Sequence, residues 1–140
     1  ERLLGRLRKI DRKARRAGLA NLRALRLEAS YSVDYLLPRA TVSAMHIYFP
    51  DPWPKRRHRH RRLIEPAFVG AVCRALQPGG RLYLRTDDAD YASQMRRVCE
   101  SAPSLRACET PDALTAFVTD FERHFLAAGV ATNRLAYERV

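Results

Sequence analysis

The chain has 140 residues, 46% of them hydrophobic, which fits one ordinary domain with a buried core. Its 26 Lys and Arg, 23 of them Arg, outweigh 15 Asp and Glu to give a net charge of +11, which predicts a polyanionic partner, either nucleic acid or an anionic membrane surface. No run of about 18 apolar residues exists, the charged start ERLLGRLRKIDRKARR lacks the apolar centre of a signal peptide, and the scattered Cys73, Cys99 and Cys108 form no CxxC pair, so neither a spanning helix nor a disulfide framework is expected, these residues do not read as a secretory leader, and reduced thiols in the cytoplasm are expected.

The first predicted element is a helix over 3–17, because Leu3, Leu7, Ile10 and Ala14 fall on one stripe at spacings of four, three and four. Gly18 stands where a helix end favours positive φ. Residues 22–27 (LRALRL) alternate as a short strand does. Residues 41–49 (TVSAMHIYF) are β-rich and apolar, and Pro50 ends the strand they predict. A helix follows over 65–76, with Pro66 in its first turn. Pro78-Gly79-Gly80 makes a turn, 81–86 (RLYLRT) a strand and 88–101 a helix. The last third is read as a helix over 121–128 and a closing strand over 135–140. Strand and helix in alternation predict the α/β class with a mainly parallel sheet.

In an open α/β sheet, ligands bind beyond the carboxyl ends of the strands. Two strands end there in Phe49-Pro50-Asp51 and in Thr86-Asp87, so each delivers a carboxylate to the ligand edge. Residues 49–62 read FPDPWPKRRHRHRR, and from Lys55 to Arg62 every residue is Lys, Arg or His. Such a run is either a solvated basic loop or a phosphate-binding surface, for which Arg brings bidentate geometry. Pro50, Pro52 and Pro54 restrict the backbone that carries Asp51 and Trp53.

These motifs resemble the bacterial tRNA (guanine-N7)-methyltransferase family, whose hallmark is a strand ending in FPDPW followed by x-K-x-R-H-x-K-R-R. Phe49-Pro50-Asp51-Pro52-Trp53, Lys55, Arg57, His58, Arg61 and Arg62 fit it, and His60 stands where Lys is usual. Thr86-Asp87 with Tyr91 is similar to the family's T-D-x-x-x-Y. Thr119-Asp120-Phe121-Glu122 resembles its T-x-(F/Y)-E, with His124 at a usually basic place, and Tyr137-Glu138-Arg139-Val140 resembles its closing strand. The match runs through essentially the whole chain with its motifs in order.

The resemblance implies a Rossmann-like class I sheet, S-adenosylmethionine as cofactor, and methyl transfer to N7 of a guanosine in the tRNA variable loop. It implies catalysis by Asp51, with Glu1, Glu28 and Asp51 holding the cofactor. It gives the target nucleoside to Lys55, Asp87, Thr119, Asp120, Phe121 and Glu122, and the tRNA backbone to Arg57, His58, Arg59, His60, Arg61 and Arg62. The six glycines form no G-x-G loop after a strand, so the family's Gly-rich cofactor loop is expected ahead of Glu1, and residues 1–140 are read as the C-terminal part of one methyltransferase domain, truncated at its N-terminus. Spacing alone also allows Glu28 to be a solvent-facing strand end. The sequence is compatible with a monomer or a homodimer. A non-catalytic RNA-binding module explains the charge and the aromatics Tyr48, Phe49 and Trp53, but not two strand-end carboxylates. A nicotinamide enzyme lacks its fingerprint here, and His58, His60 and the cysteines match no standard metal site.

Overall fold

The stripe of the first predicted helix becomes α1, Leu4–Arg16, which buries Leu7 and Ala14 in the computed structural model, which describes residues 4–140. Glu1 and Leu3 lie outside the described residues. Gly18 adopts φ +66°. The Leu19 N–H donates to the Ala14 carbonyl at 3.0 Å and the Gly18 N–H to that of Arg15 at 3.1 Å, the paired bonds of a Schellman end.

The strand expected over 22–27 does not form. A strand needs a neighbour for its N–H and C=O groups, and no described residue of this part of the chain supplies one. Leu22 and Leu25 are exposed, and the Arg23 guanidinium donates to the Ala20 and Leu22 carbonyls at 2.9 and 3.0 Å. Glu28 then caps the short helix α2, Ala29–Tyr31, which continues as a π-helical turn, Ser32–Leu36.

These elements form one unit, Glu1–Leu36, and the rest of the chain a second, Leu37–Val140. In the second, β1 (Val42–Tyr48), α3 (Pro66–Ala75), β2 (Leu76–Thr86), α4 (Ala89–Glu100), β3 (Leu105–Ala107), α5 (Asp112–Ala116), α6 (Asp120–Ala127) and β4 (Asn133–Arg139) follow in turn. The sheet order is β1-β2-β4-β3. Helices α3 and α4 pack on each other and on β2, and Ile64, Val69, Val72, Leu76, Leu82, Leu84, Tyr91, Met95 and Cys99 are fully buried.

The sheet corrects the expectation of a mainly parallel one. β1 and β2 are parallel, as the α3 crossover requires, but β4 runs antiparallel to both β2 and β3. The cause is where the chain enters β4. Asn133 pairs with Thr86, so β4 starts at the carboxyl end of β2 and runs back along it.

The Pro78-Gly79-Gly80 turn is absorbed into β2 as an irregularity, with Val42 opposite Leu76 but Ala44 opposite Arg81. A Cβ at Gly80 would lie 2.8 Å from the Gln77 carbonyl oxygen and 2.9 Å from that of Val42. Only glycine lets the two strands close at this point.

Candidate active site

The carboxyl edge of β1 and β2 is built from strained backbone pinned by side chains. Phe49 and Trp53 have φ of +53° and +43°, although each precedes a proline that favours an extended residue before it. Each costs of order 1 kcal/mol or more and persists only where its surroundings over-determine it. The Phe49 N–H donates to the Arg85 carbonyl at 2.8 Å, and its ring packs on Phe121 at 5.1 Å and Phe125 at 5.9 Å between centroids. Trp53 meets His58 edge-on at 5.9 Å, with the Arg61 guanidinium 5.1 Å over its ring. Asp51 lies between these two pinned residues with its side chain exposed.

Tyr48 pairs with Arg85 in the parallel ladder, so Asp51 and Asp87 leave neighbouring strands at the same edge. Asp87 is half-buried. The Asp88 carboxylate after it caps α4 by accepting from the Tyr91 N–H at 2.7 Å, and the Asp88 N–H donates to the Thr86 hydroxyl at 3.2 Å.

The Thr119-to-Glu122 motif reaches this edge through two contacts. Phe121 and Phe125 of α6 stack on Phe49. Beneath them the Arg85 guanidinium donates to the Glu122 carboxylate at 2.6 Å, to the Phe117 carbonyl at 2.9 Å and to that of Leu114 at 2.5 Å, with its carbon 4.4 Å from the Tyr48 ring centroid. Glu122 is fully buried. It also accepts from the Thr119 N–H at 2.9 Å and from Arg134 at 3.1 Å. Burial alone would raise its pKa, but the bonds from Thr119, Arg134 and Arg85 outweigh that and hold it at about 2. Glu122 is therefore an anion locked inside the protein. The role implied for it as a nucleoside ligand is corrected, since both carboxylate oxygens are occupied and none of its surface is open. Thr119 returns the bond to the Glu122 N–H at 3.1 Å, closing a capping box. Asp120, which pairs with Arg123, and Phe121 are exposed on the same first turn.

The basic run divides in the same way. Residues Arg56–Arg61 form a 3-10 turn, and Lys55, Arg56, Arg57, Arg59, His60 and Arg61 are exposed while His58 is half-buried against Trp53. Arg59 pairs with Asp90 at 3.1 Å. Arg62 is corrected from an RNA ligand to an anchor. It is 3% exposed, donates to the Pro52 carbonyl, Gln94 and Asp90, each at 2.7 Å, and stands over the Tyr91 ring at 4.7 Å. Its guanidinium ties the Asp51 loop to α4, and the hydrogen bond it gives Asp90 is the main cause of that carboxyl's lowered pKa.

Glu28 belongs to the first unit. One carboxylate oxygen accepts from the Tyr31 N–H at 2.8 Å, a bond that lowers its pKa, and the exposed side chain retains acceptor capacity. Glu1 lies outside the described residues. An exposed carboxylate such as that of Glu28 has the acceptor chemistry that the hydroxyl and amino donors of an adenosine-type cofactor require. A cavity of about 440 Å³ lined by Arg81, Cys108, Glu109, Thr110, Pro111 and Asp112 lies five residues up β2 from Thr86, and holds none of the motif residues. Arg85 and Arg134 were not among the sequence candidates. Their signal is a charge at alternate positions of a central strand, which needs a buried partner.

The family model described as "Putative methyltransferase" matches residues 1–135. Curated relatives named tRNA (guanine-N(7)-)-methyltransferase include one from Acidithiobacillus ferrooxidans, 41% identical over 89% of this chain and 56% of its own length. Another, from Nocardioides sp., is 41% identical over 88% of this chain and 50% of its own length. The chain spans about half the length of the curated relatives it matches. Among solved structures, an rRNA methylase from Streptococcus thermophilus superposes with a TM-score of 0.62 at 12% identity, covering 100% of this chain and 70% of that one. A SAM-dependent methyltransferase from Aquifex aeolicus gives 0.61 at 14%, covering 100% and 66%. The fold is thus the Rossmann-like one of class I methyltransferases, and by the match over 1–135 the chain belongs to this methyltransferase family.

Proposed function

We propose that this chain forms the catalytic edge of an enzyme that methylates N7 of a guanosine in tRNA, with S-adenosylmethionine as the donor. The observation that carries the reading is the convergence, on one sheet edge, of the strained Phe49-to-Trp53 loop, the Asp87 strand end and the first turn of α6, with exposed cations at 55–61 following directly. Relatives 37–41% identical carry the tRNA (guanine-N7) name.

The cofactor supplies an electrophilic methyl group. N7 of neutral guanine already holds a free lone pair, so no strong base is required and the task of the protein is alignment. Asp51 accepts hydrogen bonds from the guanine N1–H and N2–H₂ edge and stabilises the positive charge that grows on the ring. Glu28 accepts from the adenosine part of the cofactor. Asp87, Thr119, Asp120 and Phe121 hold the target nucleoside, and Lys55 meets its phosphate or base. Arg57, His58, Arg59, His60 and Arg61 face the tRNA backbone, where contacts give affinity and salt sensitivity rather than sequence choice. Recognition then rests on RNA shape and an accessible base.

The test is Asp51→Ala in the full-length enzyme, assayed on unmodified tRNA. The expected result is a loss of order 10²–10³-fold or more in kcat, with tRNA binding retained. Wild-type turnover would remove Asp51 from the chemistry.

A further inference from the structure

We propose that the exposed basic face of α1 is a second phosphate-binding surface, which grips the RNA backbone independently of the run at 55–61. The inference rests on the tRNA reading above. Along α1 the cations Arg8, Arg12 and Arg16 form one i, i+4 row, and Lys9 and Lys13 form the row beside it. All five are exposed. Leu7 and Ala14, seven residues apart and on the opposite side, are buried. The helix therefore spends its apolar side on packing and leaves its other side as a field of one sign.

Most of that field is not offset within the helix. Like charges at i, i+4 repel, α1 has no acid in its first turn, and only Lys13, Arg15 and Arg16, in the last turn, gain from the helix dipole. Its one carboxylate, Asp11, is taken by Arg15 at 2.9 Å. A stretch of phosphates relieves this repulsion, and neighbouring side chains about 5–6 Å apart along each row can meet successive charges of a strand. An anionic bilayer is the other polyanion, but a helix that lies in a membrane surface needs a free apolar face rich in large side chains. Here Leu7 is buried, and among the described residues of α1 only Leu4 and Ile10 are large apolar side chains that stand exposed.

The experiment uses the full-length enzyme with Arg8→Gln, Arg12→Gln and Arg16→Gln combined, and the same three sites changed to Lys. Binding to unmodified tRNA is measured over a salt series, alongside methylation at saturating tRNA and cosedimentation with phosphatidylserine vesicles. For the Gln variant, tRNA affinity should fall about tenfold or more near 0.1 M salt and the log–log salt slope by about 2, from roughly 0.7 per lost contact. Its kcat should hold, and the Lys variant should bind as the wild type does. Unchanged affinity and slope, with methylation intact, overturn this surface alone, as does a variant that loses vesicle binding but keeps tRNA binding. A wild-type enzyme that neither binds nor methylates tRNA overturns both this and the proposed activity.

Discussion

Arg57 and Arg62 sit five places apart in one basic run, yet they should answer mutation differently. Arg62 serves three acceptors from a buried position, and its loss leaves the Pro52 carbonyl and Gln94 without their donor. Arg62→Ala should cost about 2–4 kcal/mol of stability, by analogy with other buried charged hydrogen bonds, and Arg62→Lys should recover little because an ammonium cannot span that fork. Arg57→Ala should leave the melting temperature within the error of a surface change and weaken tRNA binding instead. Equal melting curves for the two Ala variants would contradict the anchoring role. Glu122 sets a pH limit at the same scale. Its pKa falls from 4.5 to about 2 on folding, so its contribution is present above pH 4.5 and is lost as pH falls toward 2. Glu122→Gln should destabilise the protein at neutral pH and flatten this acid limb, which urea melts between pH 5 and 2.5 would resolve.

Among the elements, those with local signals were legible and those made by tertiary pairing were not. The α1 stripe with Gly18, Pro66 at the start of α3 and the apolar β1 ending at Pro50 each carry their own start or stop, and each forms within two residues of its expected place. The T-x-x-E of Thr119 and Glu122 is both a site motif and a capping-box signature for α6. Residues 22–27 have strand alternation without a partner, and β3 is three residues long, too short for any periodicity. The antiparallel run of β4 depends on where α6 leaves the chain, which no window of sequence records. The candidate site follows the same division. Its motifs announced themselves, but burial decided that Arg62 and Glu122 act from below the surface. Gly80 offers a test of the sheet itself. Gly80→Ala would press a methyl group on two carbonyl oxygens that face it at 2.8 and 2.9 Å, so it should cost about 1–3 kcal/mol and loosen β1 from β2. Hydrogen exchange should then rise along Val42–Tyr48. Protection equal to wild type would show that the irregularity tolerates a side chain.

For the molecule as a whole, a net charge of +11 ties stability and binding together with opposite signs. Self-repulsion disfavours the compact state and is screened by salt, while attraction to the proposed tRNA partner would be screened by the same ions. Raising ionic strength should therefore lift the melting temperature and lower tRNA affinity in one titration. Lys55, Arg56 and Arg57 are exposed and contiguous, so neutralising them should act on both quantities. With all three changed to Ala, stability at low salt should be equal to or above wild type, because repulsion falls and no buried contact is lost. The slope of log affinity against log salt should drop by about 2 for three lost phosphate contacts. If the triple variant instead melts well below wild type while its salt slope is unchanged, those cations support the fold, and the tRNA interface must lie on other residues. The buried Arg85–Glu122 pair, 2.6 Å apart and shielded from solvent, should be indifferent to the same salt series, which makes Glu122→Gln the control that separates screened surface charge from the locked interior network.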